Sequence, residues 1–468
     1  MWRSEMAGRE YPADFKPPAP IPRAQGLGPI VLLRLLADNP LEAWTQAHFE
    51  QPIVMGRLSI GRVAVVSDPG AIRHILLDNP QNYHKDWLQR RVLSAGLTGG
   101  LLTAEDQQWR MQRRALAPLF SRRTVMNFVL PMIDAANALV DRLSDRDGQV
   151  VDLAVEVTRV TLDVLERTIF SDGLGRDRED IRMAMKSYFD VIGRLDPFDI
   201  LGAPAVVPRP GRWKLRPMLR LFESTIDTII TTRRARLARD PASMPRDLLT
   251  LLLEAKDPES GRALSESEIR ASILTFVAAG HETTANCIAW TLYLLSQSRD
   301  WRKRVQAESD RELDGTADDL ADRLVETRAV IDESNRLYPP ITAISRAALG
   351  PDVLAGHPIK RGTMVVVAPN LLHRHRTLWT KPDTFDPNRF LGSAHERIDR
   401  YAYLPFGAGP RVCIGATFAL QEAAIVVATL MRRFTFELKP GHVVWPVQKV
   451  TLRAKGGLPM IVRTRKLI

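Results

Sequence analysis

Residues 406–415 read FGAGPRVCIG, and Cys413 within them is one of only two cysteines in the chain, the other being Cys287. Three glycines, Gly407, Gly409 and Gly415, surround the thiol, Arg411 stands two residues before it, and a helical pattern begins around Ile414. A glycine has no Cβ, so the backbone here can come close to a flat group. Backbone N–H groups beside the sulfur and the N-terminus of the following helix favour negative charge, the condition for a thiolate ligand or nucleophile. Two more stretches carry candidate chemistry. AGHETT (279–284) places Glu282 and Thr283 in the middle of an apolar run, and WRMQRR (109–114) puts Trp109 and Arg113 four residues apart on one helical face.

The chemistry that suits a lone cysteine in such a loop is axial ligation of a haem iron. A thiolate ligand pushes electron density onto the iron and favours O–O cleavage. Taken alone, one cysteine in a loop is better read as a packed, buried side chain. Three competing motifs fail. HETTA (281–285) has Ala285 where a zinc-binding HExxH needs its second histidine. GAGPRV (407–412) has Val412 where a dinucleotide fingerprint needs its third glycine. HRHR (373–376) has no further ligand cluster and reads as surface or hydrogen-bonding residues.

The elements that must position these residues are mainly helical. The chain has 468 residues, 45% hydrophobic and 25% charged, an ordinary globular composition rather than a disordered one. Ser265 and Glu268 fit a capping box that opens the longest helix, running through IRASILTFVAAGHETTANCIAWTLYLLSQ. The ionisable centre of that run argues against a membrane span and for a buried helix. IVMGRLSIGRVAVVSD (53–68) reads as a small sheet, Asp68-Pro69 as a helix start, and sheet-like pieces return near 352–369 and the C-terminus. DPFDILGAPAVVPRPGRW (196–213) reads as a proline-rich break. Two cysteines make no disulfide framework, and GPIVLLRLLA is interrupted by Arg34, so we expect a cytoplasmic protein with no membrane anchor. The net charge of +11 is scattered over the chain without a nucleic-acid module, which reads as a solvated basic surface.

Residues 406–415 match Phe-x-x-Gly-x-Arg-x-Cys-x-Gly through Phe406, Gly409, Arg411, Cys413 and Gly415, and this is similar to the haem-binding signature of the cytochrome P450 family. The resemblance extends over most of the chain. AGHETT resembles the family's oxygen-activation motif through Ala279, Gly280, Glu282, Thr283 and Thr284. Gly280 would leave space for a small ligand, Thr283 would hold a water or hydroperoxide, and Glu282 would help relay protons. Each residue has a plainer reading as well: back-bonding within the helix for Thr283, and a solvated or paired acid for Glu282. Trp109 and Arg113 resemble the family's propionate-binding Trp-x-x-x-Arg, and Arg346 and Arg411 match two further propionate-binding arginines. Glu333, Arg336 and Arg389 resemble its Glu-Arg-Arg cluster, a buried lock supporting the loop before Cys413. Two departures stand out: Asn388 where many members have glutamate, and HRHR where His-Arg-Asp-Pro is common. Arg110 and Arg114 read as surface charges that an acidic electron-transfer protein could meet, and Cys287 as packing.

The resemblance implies a mainly α fold with minor β, a long central helix over haem b and a small β-rich lobe. It implies a single domain over 1–468, with 1–68 as N-terminal segment and part of that lobe, about 69–350 as helical body, and about 351–468 as ligand loop, following helix and β elements. The implied reaction inserts one atom of O2 into a hydrophobic small molecule, with electrons from a separate ferredoxin or flavodoxin and its reductase. Peroxygenase and non-hydroxylating relatives are the alternatives, and the retained Glu282 and Thr283 weigh against both. Pocket walls are expected near 86–100, 196–210, Phe276, Ala279, 341–344 and 455–459, and they are too generally apolar to choose a substrate.

Overall fold

The computed structural model describes residues 15–58, 61–93, 99–171, 215–317 and 319–466. The proline-rich break at 196–213 and the expected pocket wall within it lie outside these residues, as does part of the wall near 86–100.

The axis of the fold is the central helix Glu266–Gln297, 32 residues long and therefore about 48 Å. Its start is fixed by the anticipated capping box: the Glu268 N–H donates to Ser265 Oγ and the Ser265 N–H to Glu268 Oε2, at 3.3 and 2.8 Å. From Thr284 to Ser296 every residue is buried, as befits a helix enclosed on all sides. Helices Leu153–Ile169, Val325–Leu337 and Ala416–Arg433 pack around it. Trp290 stacks on Tyr338 with ring centroids 3.9 Å apart, and its indole N–H donates to the Leu452 carbonyl at 3.1 Å.

The strands are β1 (Ile53–Leu58), β2 (Gly61–Val66), β3 (Tyr83–His84), β4 (Val150–Asp152), β5 (Ile344–Ala348), β6 (Asp352–Leu354), β7 (His357–Ile359), β8 (Met364–Val367), β9 (Phe434–Leu438), β10 (Pro446–Gln448), β11 (Leu452–Ala454) and β12 (Pro459–Thr464). The largest sheet runs β1-β2-β8-β5-β3, with β2 and β8 parallel and the other pairs antiparallel. β5, paired on both sides by β8 and β3, carries Arg346 in register with Val365. A second sheet, β4-β12-β9, ties the chain's C-terminal strand to residues 150–152. Asp68 caps the helix Pro69–Arg73 by accepting from the Ala71 N–H at 2.7 Å. The fold is thus mainly α with minor β. No helix among the described residues is long and apolar enough to cross a membrane.

Candidate active site

The Cys413 loop is built on two left-handed glycines, Gly407 with φ +72° and Gly409 with φ +71°, a conformation that other residues adopt only with strain. A Cβ on Gly409 would lie 1.9 Å from the Leu76 carbonyl oxygen. Gly409 is therefore required by close packing on the turn His74–Asp78, a reason the sequence did not disclose. The Cys413 N–H donates to the Phe406 carbonyl at 2.9 Å, closing the loop. Gly415 caps the helix Ala416–Arg433, which starts two residues later than the pattern had suggested. The thiol presents surface from a recess walled by protein. Burial there pushes its pKa up, while the Gly415 N–H and the Arg113 guanidinium act in the opposite sense and favour the thiolate.

Beside the thiol lies a cluster of cations. Helix Asp106–Leu116 presents Trp109 and Arg113 one turn apart, and the Arg411 guanidinium carbon sits 4.4 Å from the Trp109 ring centroid. Arg411 donates to the Ala104 carbonyl at 3.2 Å and pairs with Glu105. Lys85 Nζ donates to the same carbonyl at 2.8 Å and lies 3.6 Å from Glu105. Burial, then the neighbouring Arg411 charge, holds Lys85 down at about 8 and Arg346 at about 10. Nearby acids are Glu105 and Asp86. The structure brings together Arg346 and Arg411, which only the family resemblance had linked, and adds Lys85 and Glu105, which no local motif announced. A desolvated surplus of positive charge beside a single recessed thiol fits a planar cofactor with carboxylate arms and a metal that takes sulfur.

The middle of the central helix is continuous. Ala279 is exposed there, with Gly280, Glu282 and Thr283 partly so. Thr283 Oγ1 donates to the Ala279 carbonyl at 2.5 Å, the back-bonding geometry. The absent side chain of Gly280 points at helix Leu153–Ile169, where a Cβ would lie 3.3 Å from Leu165 Cδ2, so this glycine lets two helices approach. Thr161 Oγ1 donates to the His281 carbonyl at 3.1 Å across the same contact. Phe276 is buried, edge-on to Phe120 with ring centroids 4.9 Å apart. Cys287 is a buried thiol pushed up to about 12, first by burial, and so inert.

Glu333 and Arg336 are both fully buried and bidentate, at 2.6 and 2.7 Å. Arg336 also donates to the carbonyls of His373, Pro382 and Thr384 at 2.8, 2.7 and 3.0 Å. Arg389 completes the trio more loosely, with Nε 3.7 Å from Glu333 Oε1. The HRHR run is mostly interior: His373, Arg374 and His375 are buried, and only Arg376 is exposed. Arg114 is likewise no free surface charge, since it grips the buried Asp257 at 2.7 and 2.8 Å, whereas Arg110 is exposed.

A recessed thiol at the head of a helix, a cationic cluster beside it and a long helix with an exposed, hydroxyl-bearing centre together define a haem-thiolate architecture. The sequence pattern of the cytochrome P450 family matches residues 17–459, and the chain belongs to that family. It is 31% identical to the cyclooctat-9-en-7-ol 5-monooxygenase of Streptomyces melanosporofaciens, over 98% of this chain and 99% of the relative. It is 28% identical to a cytokinin hydroxylase of Arabidopsis thaliana, over 84% of this chain and 77% of the relative. The crystal structure of the cytochrome P450DA heme domain superposes with a TM-score of 0.84 at 27% identity, covering 96% of this chain and 98% of that one. The protein is a P450 monooxygenase.

Proposed function

We propose that the enzyme inserts one atom of dioxygen into a hydrophobic small molecule, using haem b and electrons from a separate ferredoxin or flavodoxin and its reductase. The observation that carries this reading is the exposed Cys413 thiol on a loop built on the left-handed Gly407 and Gly409, two residues after Arg411, which shares the Ala104 carbonyl with Lys85. In this reading Cys413 would hold the haem iron through its sulfur, and Trp109, Arg113, Arg346 and Arg411 would hold the two carboxylates. Phe406, Gly409 and Gly415 shape the ligand loop, and Glu333, Arg336 and Arg389 hold it from behind. The haem, when bound, supplies the reductive activation of dioxygen that side chains cannot perform.

The protein's own part is proton handling and exclusion of water. Because the Thr283 hydroxyl proton is already given to the Ala279 carbonyl, the oxygen has only lone pairs to offer, and it holds a proton-bearing water by accepting from it. Glu282, one residue earlier and half-buried, is placed to resupply that water from solvent. Ala279 forms the wall beside them. Exposed Arg110, on the helix that carries Trp109 and Arg113, suits an acidic electron donor. The two free cysteines suit a reducing cytoplasm.

The test is turnover with isotopically labelled dioxygen, a surrogate ferredoxin and reductase, and a panel of apolar substrates chosen by spectral binding. One labelled atom in the product, dependent on reductant, supports the proposal. Product formed only with added hydrogen peroxide, or no label in it, overturns it.

A further inference from the structure

One carboxylate outside the site grips a turn that presses on the ligand loop. Asp352, the first residue of β6, receives three side-chain donors on Oδ2: His74 Nε2 at 3.0 Å, Asn79 Nδ2 at 3.1 Å and the Tyr83 hydroxyl at 2.8 Å. Its other oxygen accepts from the Val353 N–H at 2.8 Å. Burial opposes its ionisation, but the Tyr83 hydroxyl, the Val353 N–H and the His74 ring bring its pKa down to about 2, so Asp352 is an anion throughout the neutral range.

His74 and Asn79 bracket a single π-helical turn, His74–Asp78. The Asn79 N–H closes the turn on the His74 carbonyl at 2.8 Å. Both ends of the turn are therefore tied to one oxygen atom on a different strand. The middle of the same turn is the Leu76 carbonyl, which sits where a Cβ of Gly409 would be. Ile75 and Leu76 share one buried apolar cluster with Leu404 and Ala408 of the ligand loop. A turn this tightly packed transmits displacement, because a close-packed interior does not absorb it in voids.

We propose that Asp352 is a positioning residue for Cys413. By clamping both ends of the His74–Asp78 turn it fixes the Leu76 carbonyl against Gly409, and so fixes the backbone of the loop that carries Cys413. This inference rests on the haem-thiolate reading given above. It assigns a function in ligand chemistry to a carboxylate that no catalytic or cofactor motif contains.

The experiment compares the holoenzyme with Asp352→Ala and Asp352→Asn, measuring haem content, the reduced carbon-monoxide spectrum and the midpoint potential. Arg465→Ala is the control for general destabilisation: it opens a pair with Asp310, at 2.8 Å, that touches neither turn nor loop. The expected result is normal haem loading in both Asp352 variants, partial loss of the red-shifted thiolate band and a more positive potential, with the control unchanged in both. Should Asp352→Ala fail to load haem, His74→Ala and Asn79→Ala remove one arm each and are expected to give smaller shifts of the same sign. Unchanged band and potential in the variants that load haem overturn the inference. A parent enzyme without a thiolate band overturns the haem-thiolate reading instead.

Discussion

The imidazole Nε2 of His373 accepts a hydrogen bond from the Leu404 N–H at 2.8 Å, while the His373 carbonyl accepts from Arg336 Nη1 at the same distance. One buried residue thus joins the Glu333–Arg336 pair to the start of the segment that leads to Cys413. An accepting ring must be neutral, and burial, followed by the Arg336 charge, brings its pKa down from 6.5 to about 3.

A pH dependence follows from that shift. The folded state disfavours the protonated ring, so below the unfolded value of 6.5 only the unfolded chain takes up the proton. Stability from this residue is complete above pH 6.5 and falls by about 1.4 kcal/mol per pH unit as the pH drops toward the folded value. His373→Leu is expected to be less stable at pH 8 by roughly 1–3 kcal/mol, through the lost acceptor. Its deficit is expected to shrink on acidification. Urea midpoints of both proteins at pH 8 and pH 5 check this.

Removing one charge of the buried pair is expected to cost far more than a surface pair would. Glu333→Gln keeps the shape but strands the Arg336 guanidinium, which is fully buried, and it also weakens the acceptor of the Asp386 N–H at 2.8 Å. The expected loss is about 3–5 kcal/mol, read by chemical denaturation, with faster haem release as a second sign.

The contact behind Gly280 makes a prediction in two variants. Gly280→Ala gains helix propensity of about 1 kcal/mol but drives a methyl group toward Leu165 Cδ2, 3.3 Å from the added carbon. With Leu165→Val beneath it, the added methyl finds room. Gly280→Ala is expected to be more stabilising on the Leu165→Val background than on the parent, by roughly 0.5–2 kcal/mol in a double-mutant cycle. Additive effects would mean that the two side chains do not meet.

The hairpin between β6 and β7 turns on Ala355 and Gly356, with φ +44° and +81°. Two left-handed residues in a two-residue loop favour Asn-Gly, and alanine is a poor first member. Ala355→Asn is expected to raise stability by about 0.5–1 kcal/mol, seen as a higher melting temperature with an unchanged Soret spectrum.

What could be read from sequence was what short spacing encodes. Cys413 with its glycines, Trp109 with Arg113, and Glu333 with Arg336 are each placed by a loop or a helical turn, and the capping box fixed the start of the central helix. What could not be read was where long-range packing decides. Arg411 and Ala104 meet across 307 residues, so nothing local revealed Lys85 or Glu105 as their companions. The spacing of AGHETT places Gly280 on the helix without saying which neighbour it faces, and Leu165 supplied that answer. HRHR read as surface or hydrogen-bonding residues, and the fold decides for the second: carbonyl and carboxylate partners let Arg374 be buried, at 5% exposure. Asp352 carries no motif at all, and its partners His74, Asn79 and Tyr83 converge on it only through the fold.

The central claim is that Cys413 binds iron as a thiolate. The direct measurement is the reduced, carbon-monoxide-bound difference spectrum of the purified protein beside that of Cys413→Ser. A strongly red-shifted Soret band in the parent, absent from the variant, is the predicted result. A parent band typical of histidine-ligated haem, or a band that survives in Cys413→Ser, would contradict it.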